Sequence, residues 1–311
     1  ACSQSGILTY DAKILTDRLK ERKIATQYVR EYYIPYRLSP DRIDYIEGVL
    51  KKEGRLNTDT RPIAYLFDIV LWSTHFNTTF KKIIEKAQNV SLGNLFIIPL
   101  VILLIGGLFA RWRPASPITL SIITTGFSEI IFQLIVIFAF QTLYGYAYYK
   151  IGLIIASFMG GLVLGSLLAR RVMVSSRFNS LRIYQYAQVS ISLYPLVLPI
   201  LFIVFRDVVS TQKYLGLFAS VFAVLPVIAG FIGGLQYPLA VFLRRRMGGN
   251  GGESTAKSAG FLYAVDVLGA TLGALVTGTI LIPLFGITTV AYLCATINGA
   301  VLILLLFVRL K

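Results

Sequence analysis

Residues that do chemistry or staple chains are scarce in this sequence, which holds two cysteines, one histidine and three methionines in 311 residues. Cys2 stands at the start and Cys294 inside a long apolar run, an arrangement that argues against a disulfide between them and leaves the redox compartment unread. His75 has no second imidazole near it in sequence, so it reads as a polar residue at an interface and not as a metal ligand or a general base. Acids are also rare beyond the first third: residues 92–311 carry 4 acidic against 15 basic side chains, whereas residues 1–91 carry 11 against 15. The basic excess sits at the ends of apolar runs, with no basic stripe and interleaved aromatics, so anionic lipid headgroups fit it and nucleic acid does not. A glycine-rich nucleotide-binding turn is missing as well. Gly106-Gly107, Gly160-Gly161 and Gly233-Gly234 all lie in apolar runs, and Gly248 to Gly252 read as a loop. No cofactor, metal or catalytic residue is expected on this chain.

Long hydrophobic runs are plentiful. With 56% hydrophobic residues and a mean hydropathy of +0.70, the chain belongs to the integral membrane class. The expected fold is an all-α polytopic bundle of about seven transmembrane helices, preceded by a small, incomplete α/β extramembrane segment. The seven apolar runs cover about Leu95–Ala110, Ile118–Leu143, Ile151–Ala169, Ile183–Phe205, Leu215–Leu243, Ala259–Ile282 and Ile287–Val308. Alternate crossings put twelve basic residues, among them Arg113, Arg170, Arg244 and Lys257, on one side and Lys150, Arg206 and Lys213 on the other. The richer side is expected to be cytoplasmic, which places residues 1–91 outside the cytoplasm of a bacterial inner membrane. Lys81, Lys82 and Lys86 oppose that orientation but flank an extramembrane segment.

The stretch around which the rest is organised runs from Ala256 to Gly286, AKSAGFLYAVDVLGATLGALVTGTILIPLFG. At ~1.5 Å per residue it is long enough to cross a hydrocarbon core of roughly 30 Å before Pro283 and Gly286 end it. Gly269 and Gly273 form a GxxxG pair, and Gly161 and Gly165 form another, so each helix offers a thin face for a neighbour. Asp266 is the acid of this stretch. Glu129 is a second intramembrane acid, with Gln133 four residues on and on the same helix face. Such acids either mark a cation route or accept hydrogen bonds that set helix register. Gln185, Gln188, Gln236 and Asn298 read as interhelical hydrogen bonders. Pro195, Pro199, Pro226 and Pro238 predict kinks, and Gly230, Gly233 and Gly234 soften the fifth segment; such a helix is either a gate or a packing accommodation, and packing is preferred.

Ahead of the membrane half, three parts are expected: residues 1–62 as an α/β remnant, 63–91 as an interfacial linker and 92–311 as the transmembrane domain. Ser5–Tyr10 predicts a short strand, and Asp11 caps a helix over Ala12–Lys23. The β-branched and aromatic run Ala25–Tyr36 predicts a strand. Ser39-Pro40-Asp41 opens a second helix that Gly54 ends. Ile63–Phe76 is too short to span and predicts an interfacial helix with Tyr65, Phe67 and Trp72 at headgroup level. The chain opens on Ala1 without a Met or a targeting segment, which predicts a fragment or a split gene product; Cys2 hints only faintly at a lipoprotein site.

The run GFLYAVDVLGATLGALVTGTILIPLFG, the segment TGFSEIIFQLIVIFAFQTLYGYAYYKIGLIIASFMGGLVLGSLLARR and the linker LNTDTRPIAYLFDIVLWSTHF together resemble the spermidine synthase-like integral membrane proteins. In that family a hydrophobic helical region is fused to an aminopropyltransferase-type domain. The resemblance covers nearly the whole chain as the family's C-terminal part, from the closing strand, helix and strand of the catalytic domain onward. It departs at Asp266, where the family more often has an uncharged polar residue. It implies a membrane anchor or assembly subunit that lacks its own aminopropyltransferase site and whose partners are the missing N-terminal half or other membrane subunits. Two alternatives stay open. One is a transporter of a small cation or polyamine using Glu129 and Asp266; the other is the membrane part of an aminopropyltransferase whose catalytic half is elsewhere. The glycine-lined third segment, ending in Arg170-Arg171, also resembles the loop region of major facilitator transporters.

Overall fold

Within lipid a backbone has no water to bond, so a run of apolar residues must satisfy its own N–H and C=O groups, and a helix does so residue by residue. The computed structural model of this chain describes residues 8–23, 28–51, 56–58, 61–74, 92–113, 115–144, 148–175, 179–209, 215–247 and 254–308, with Lys82 and Lys86 as isolated positions. Among these residues the regular structure is helical, with no strand. His75, Cys2 and the glycines from 248 to 252 lie outside the described residues, as does most of the linker up to 91. The chain divides into two units, residues 1–56 and 57–311.

The first unit holds α1 (Ala12–Glu21), α2 (Tyr33–Arg37) and α3 (Pro40–Leu50). Asp11 caps α1, accepting from the backbone N–H of Lys13 at 2.8 Å and of Ile14 at 3.3 Å, which satisfies two of the four orphan donors of the first turn. Pro40 opens α3, but the Ser39 side chain makes no capping bond. The Arg42 and Ile43 N–H groups both bond the Ser39 carbonyl, each at 3.1 Å. The strand expected over Ala25–Tyr36 begins outside the described residues, and from Tyr28 to Tyr36 the structure corrects it. Tyr33 N–H bonds the Arg30 carbonyl at 2.9 Å and Leu38 N–H the Ile34 carbonyl at 3.0 Å, so the backbone groups that a strand would offer to a neighbour are closed locally into a turn and α2. A strand needs a partner across its ladder, and aromatic, β-branched composition alone does not provide one. The strand expected at Ser5–Tyr10 falls partly outside the described residues, and Leu8–Tyr10 has no regular structure.

The second unit begins with α4 (Ile63–Thr74), followed by α5 (Leu92–Leu95), α6 (Ile97–Trp112), α7 (Ser116–Tyr144), α8 (Tyr148–Val174), α9 (Ser180–Val209), α10 (Leu215–Met247), α11 (Thr255–Val276) and α12 (Ile282–Leu306). A π-helical turn, Thr277–Leu281, joins α11 to α12. Six runs among the described residues are long and apolar enough to cross a membrane, the last of them Thr255–Leu306, with 52 residues. The protein is therefore read as an integral membrane, all-α bundle. α9 continues through Pro195 and Pro199, and α10 through Pro226 and Pro238.

Helix directions follow from which residues meet. Gly269 and Gly273 of α11 meet Ile123 and Phe127 of α7 in ascending order, so α7 and α11 run parallel. Ser121 pairs with Tyr184 and Phe132 with Tyr194, so α9 is parallel to α7 too. Gln185 of α9 reaches the Leu305 carbonyl, whereas Gln188 reaches Asn298, so α12 runs against α9, α7 and α11. The chain thus reverses between α11 and α12. A straight helix of 52 residues would be ~78 Å long, over twice the ~30 Å hydrocarbon core. The reversal occurs where Pro283 and the non-helical Gly286 (φ 82°, ψ 162°) interrupt the ladder, a conformation that is essentially glycine's alone.

α7, α10 and the Thr255–Leu306 run are the most buried, whereas the run containing α6 and the run of α8 lie mostly on the outside. Since lipid and core are equally apolar, close packing and polar contacts hold such a bundle, not hydrophobic burial. α8 and α10 lie in parallel at backbone distance: Gly161 and Gly165 face the α10 backbone at Val227 and Phe231, while Gly230 and Gly234 face α8 at Phe158 and Leu162. α4 packs through Leu66 onto Leu284, beside the α11–α12 reversal, and leaves Tyr65, Phe67, Leu71 and Trp72 exposed.

Candidate functional site

The middle of the bundle is polar on one track. Ser121, Thr124, Thr125 and Ser128 recur on α7 at helical spacing and are all buried, as are Gln188 on α9, Gln236 on α10 and Asn298 on α12. Thr125, Ser128, Gln188, Gln236 and Asn298 are joined in a circuit that leaves α7 at Thr125 and returns to it at Ser128, so that the α7 backbone closes it. Thr125 Oγ1 donates to Gln236 Oε1 at 2.9 Å, and Gln236 Nε2 donates to Gln188 Oε1. Gln188 Nε2 donates to Asn298 Oδ1 at 3.2 Å, and Asn298 Nδ2 returns to α7 by donating to Ser128 Oγ at 2.6 Å. Four helices are locked in register by one loop of hydrogen bonds whose amides all point the same way round, an arrangement in which each bond polarises the next. Tyr184 pairs with Ser121 just beside it, and Tyr194 donates to the Leu225 carbonyl at 2.9 Å.

The intramembrane acids border this circuit. Asp266 of α11 lies against Gly126 of α7, so close that a Cβ on Gly126 would overlap its backbone carbonyl and its carboxylate. Glu129, three residues further along α7, directs its carboxylate at Gly233 of α10, where a Cβ would occupy the same space. Gly233 is there to make room for an acid. Gln133 lies one turn beyond Glu129, and both Gln133 Nε2 and Glu129 Oε1 are buried without a hydrogen-bond partner. An orphaned buried acceptor and an orphaned buried donor on one helix face make a locally costly spot. Of the glycines read from the sequence as packing positions, Gly269 and Gly273 meet α7 at Ile123 and Phe127, and Gly161 and Gly165 meet α10.

Gln185, Gln188, Gln236 and Asn298 bond between helices, Gln185 through the Leu305 carbonyl at 2.9 Å. Their hydroxyl partners Thr125 and Ser128, and Ser121 beside Tyr184, do not stand out in the sequence, because Ser and Thr commonly bond their own helix. The usable signal was their recurrence at three- and four-residue steps on the segment that carries Glu129. Among the described residues no three His, Cys, Asp or Glu side chains gather in a way that could hold a metal ion. Cys294 is buried within α12. Compared with protein-family models, with curated proteins and with solved structures, the chain shows no match.

Proposed function

We propose that this chain is a membrane anchor and assembly subunit, the membrane domain of a spermidine synthase-like protein without a complete active site of its own. The observation that carries this reading is the closed circuit Thr125–Gln236–Gln188–Asn298–Ser128. A transporter needs helices that slide or rock between two arrangements. Here four helices share one hydrogen-bonded register, which suits a fixed platform. In this reading the chain crosses seven times, the Thr255–Leu306 run counting twice because of its reversal. The bundle end that gathers Arg113, Arg170, Arg244 and Lys257 is cytoplasmic, in a bacterial inner membrane. α4 sits against Leu284, at the opposite end, which favours an extracytoplasmic place for residues 1–91. Residues 1–62 are then the remnant of a larger α/β body whose strands come from elsewhere. The partner is that missing body or another membrane subunit. The test is hydrogen exchange on the purified chain: residues 8–51 should exchange fast alone and slow when the partner is present. Slow exchange in a monodisperse monomer would overturn the anchor reading.

A second reading, transport of a small cation or polyamine, is favoured by the unpartnered Glu129 Oε1 and Gln133 Nε2 beside Asp266. It predicts spermidine flux into liposomes that Glu129→Gln with Asp266→Asn abolishes. Under the anchor reading there is no such flux. A third, that the chain is the membrane part of an aminopropyltransferase whose catalytic half is elsewhere, agrees with the anchor in every structural feature and differs only in what the partner does.

A further inference from the structure

A crevice of about 410 Å³ lies between α6 and α7 on the outside of the bundle. Its walls are apolar: Val101, Ile105 and Phe109 from α6, Leu120 and Ile123 from α7. Val101, Ile105 and Phe109 are exposed, and the run containing α6 is the least buried of the six, so the crevice opens sideways towards lipid. One end is different. Arg113, Ser116 and Thr119 line that end together with Arg244 of α10, and among the described residues no acidic side chain lines the site.

That end is built, not merely basic. Arg244 donates from Nη1 to Thr119 Oγ1 at 2.8 Å, and its guanidinium lies 4.3 Å over the Phe261 ring, so the cation is held in one place. Ser116 Oγ is buried without a partner. The dimensions fit the rest of a ligand: from Val101 to Arg113 the helix advances by ~18 Å, close to half of a ~30 Å hydrocarbon core. An anionic head at the arginine end therefore lets an acyl chain run along the apolar walls to the middle of the bilayer.

We propose that this crevice is a binding site for an anionic phospholipid, with its phosphate held by Arg113, Arg244 and the Ser116 hydroxyl and an acyl chain lying between α6 and α7. A basic pocket between membrane helices recognises anionic headgroups in this way, while zwitterionic lipids gain nothing from the second arginine. The site stands on the membrane placement alone. It is independent of whether the chain anchors a spermidine synthase-like partner, so the failure of either leaves the other intact.

The test is native mass spectrometry of the full chain released from detergent after incubation with phosphatidylglycerol or phosphatidylcholine of equal chain length. Retention of phosphatidylglycerol should exceed that of phosphatidylcholine roughly tenfold or more, and Arg113→Gln should remove most of the difference. Arg244→Gln should do the same, but it also breaks the Thr119 bond. Arg113, at the end of α6 and outside the core, is therefore the deciding variant, and its melting temperature should stay at the wild-type value. Ile105→Trp, which narrows the apolar wall without touching either arginine, should weaken phosphatidylglycerol retention. Inorganic phosphate at millimolar concentration should not displace the lipid. Equal retention of the two lipids, a folded Arg113→Gln variant with undiminished preference, or displacement by inorganic phosphate would each overturn the site.

Discussion

Asn298 on α12 donates from Nδ2 to Ser128 Oγ on α7 at 2.6 Å, across 170 residues of chain. The same amide nitrogen also donates to the Cys294 carbonyl at 2.9 Å, so the side chain is held by its own helix while it reaches the neighbour. α12 runs against α7, and a slip of one residue along either helix would rotate Asn298 away by about 100°. In hydrocarbon a buried amide with no partner is costly, so the pair selects one register by penalising the others.

Breaking the circuit should therefore weaken the bundle measurably. Asn298→Ala removes the bonds to Ser128 and Gln188, and we expect it to lower unfolding stability in mixed micelles by about 1–3 kcal/mol. A double-mutant cycle with Ser128→Ala should give a coupling of ~0.6 kcal/mol, the usual size for interhelical pairs in membranes. A coupling of zero would mean that the Asn298–Ser128 contact fixes nothing.

Neighbouring glycines on α8 should respond oppositely. Gly161 faces the α10 backbone at Val227 and Phe231, whereas a Cβ on Gly160 would meet nothing within 4 Å. Gly161→Ala is expected to cost about 1–3 kcal/mol by overpacking. Gly160→Ala should be neutral or stabilising, by up to ~1 kcal/mol from helix propensity. Melting curves of the two single variants decide it; equal effects would remove the close α8–α10 approach.

At the reversal between α11 and α12, Gly286 sits at φ 82° and ψ 162°. Gly286→Ala forces a side chain into that region and should cost about 1–3 kcal/mol. Gly299→Ala, on the same helix with open space around it, serves as the control. If both variants melt alike, Gly286 is not a required turn.

Cysteine labelling checks the number of crossings. In a background without the native cysteines, Ser254→Cys and Phe307→Cys should react with an impermeant maleimide from one face of the membrane, and Thr288→Cys from the other. Thr288 is exposed just after the reversal. Labelling of all three from one side would restrict Thr255–Leu306 to something other than two crossings.

Much of the candidate site was visible residue by residue and invisible as an arrangement. Glu129, Gln133 and Asp266 stand out because a charged or amide group in an apolar run is expensive and rare. Gln188, Gln236 and Asn298 stand out for the same reason. That they close into one circuit through Thr125 and Ser128 is not written in any one segment, because closure depends on four helices meeting at one depth. Gly233 shows the same limit: as a residue it reads as a helix softener, and only its place opposite Glu129 makes it a cavity for a carboxylate. The first unit marks the opposite failure. Aromatic and β-branched residues over Ala25–Tyr36 favour a strand, but without a second strand beside them local turns win.

From the sequence alone came the membrane class, the apolar helices, the Asp11 cap and the break near Pro283 and Gly286. Each depends on hydrophobicity or backbone chemistry within a few residues and is felt before any helix meets another. The tertiary structure decided which helices are neighbours, that α8 lies along α10 and α7 along α11, and where each buried amide finds its donor or acceptor. Those outcomes rest on shape complementarity and hydrogen bonds between segments far apart in the sequence, for which hydropathy, being the same on every lipid-facing helix, carries no information.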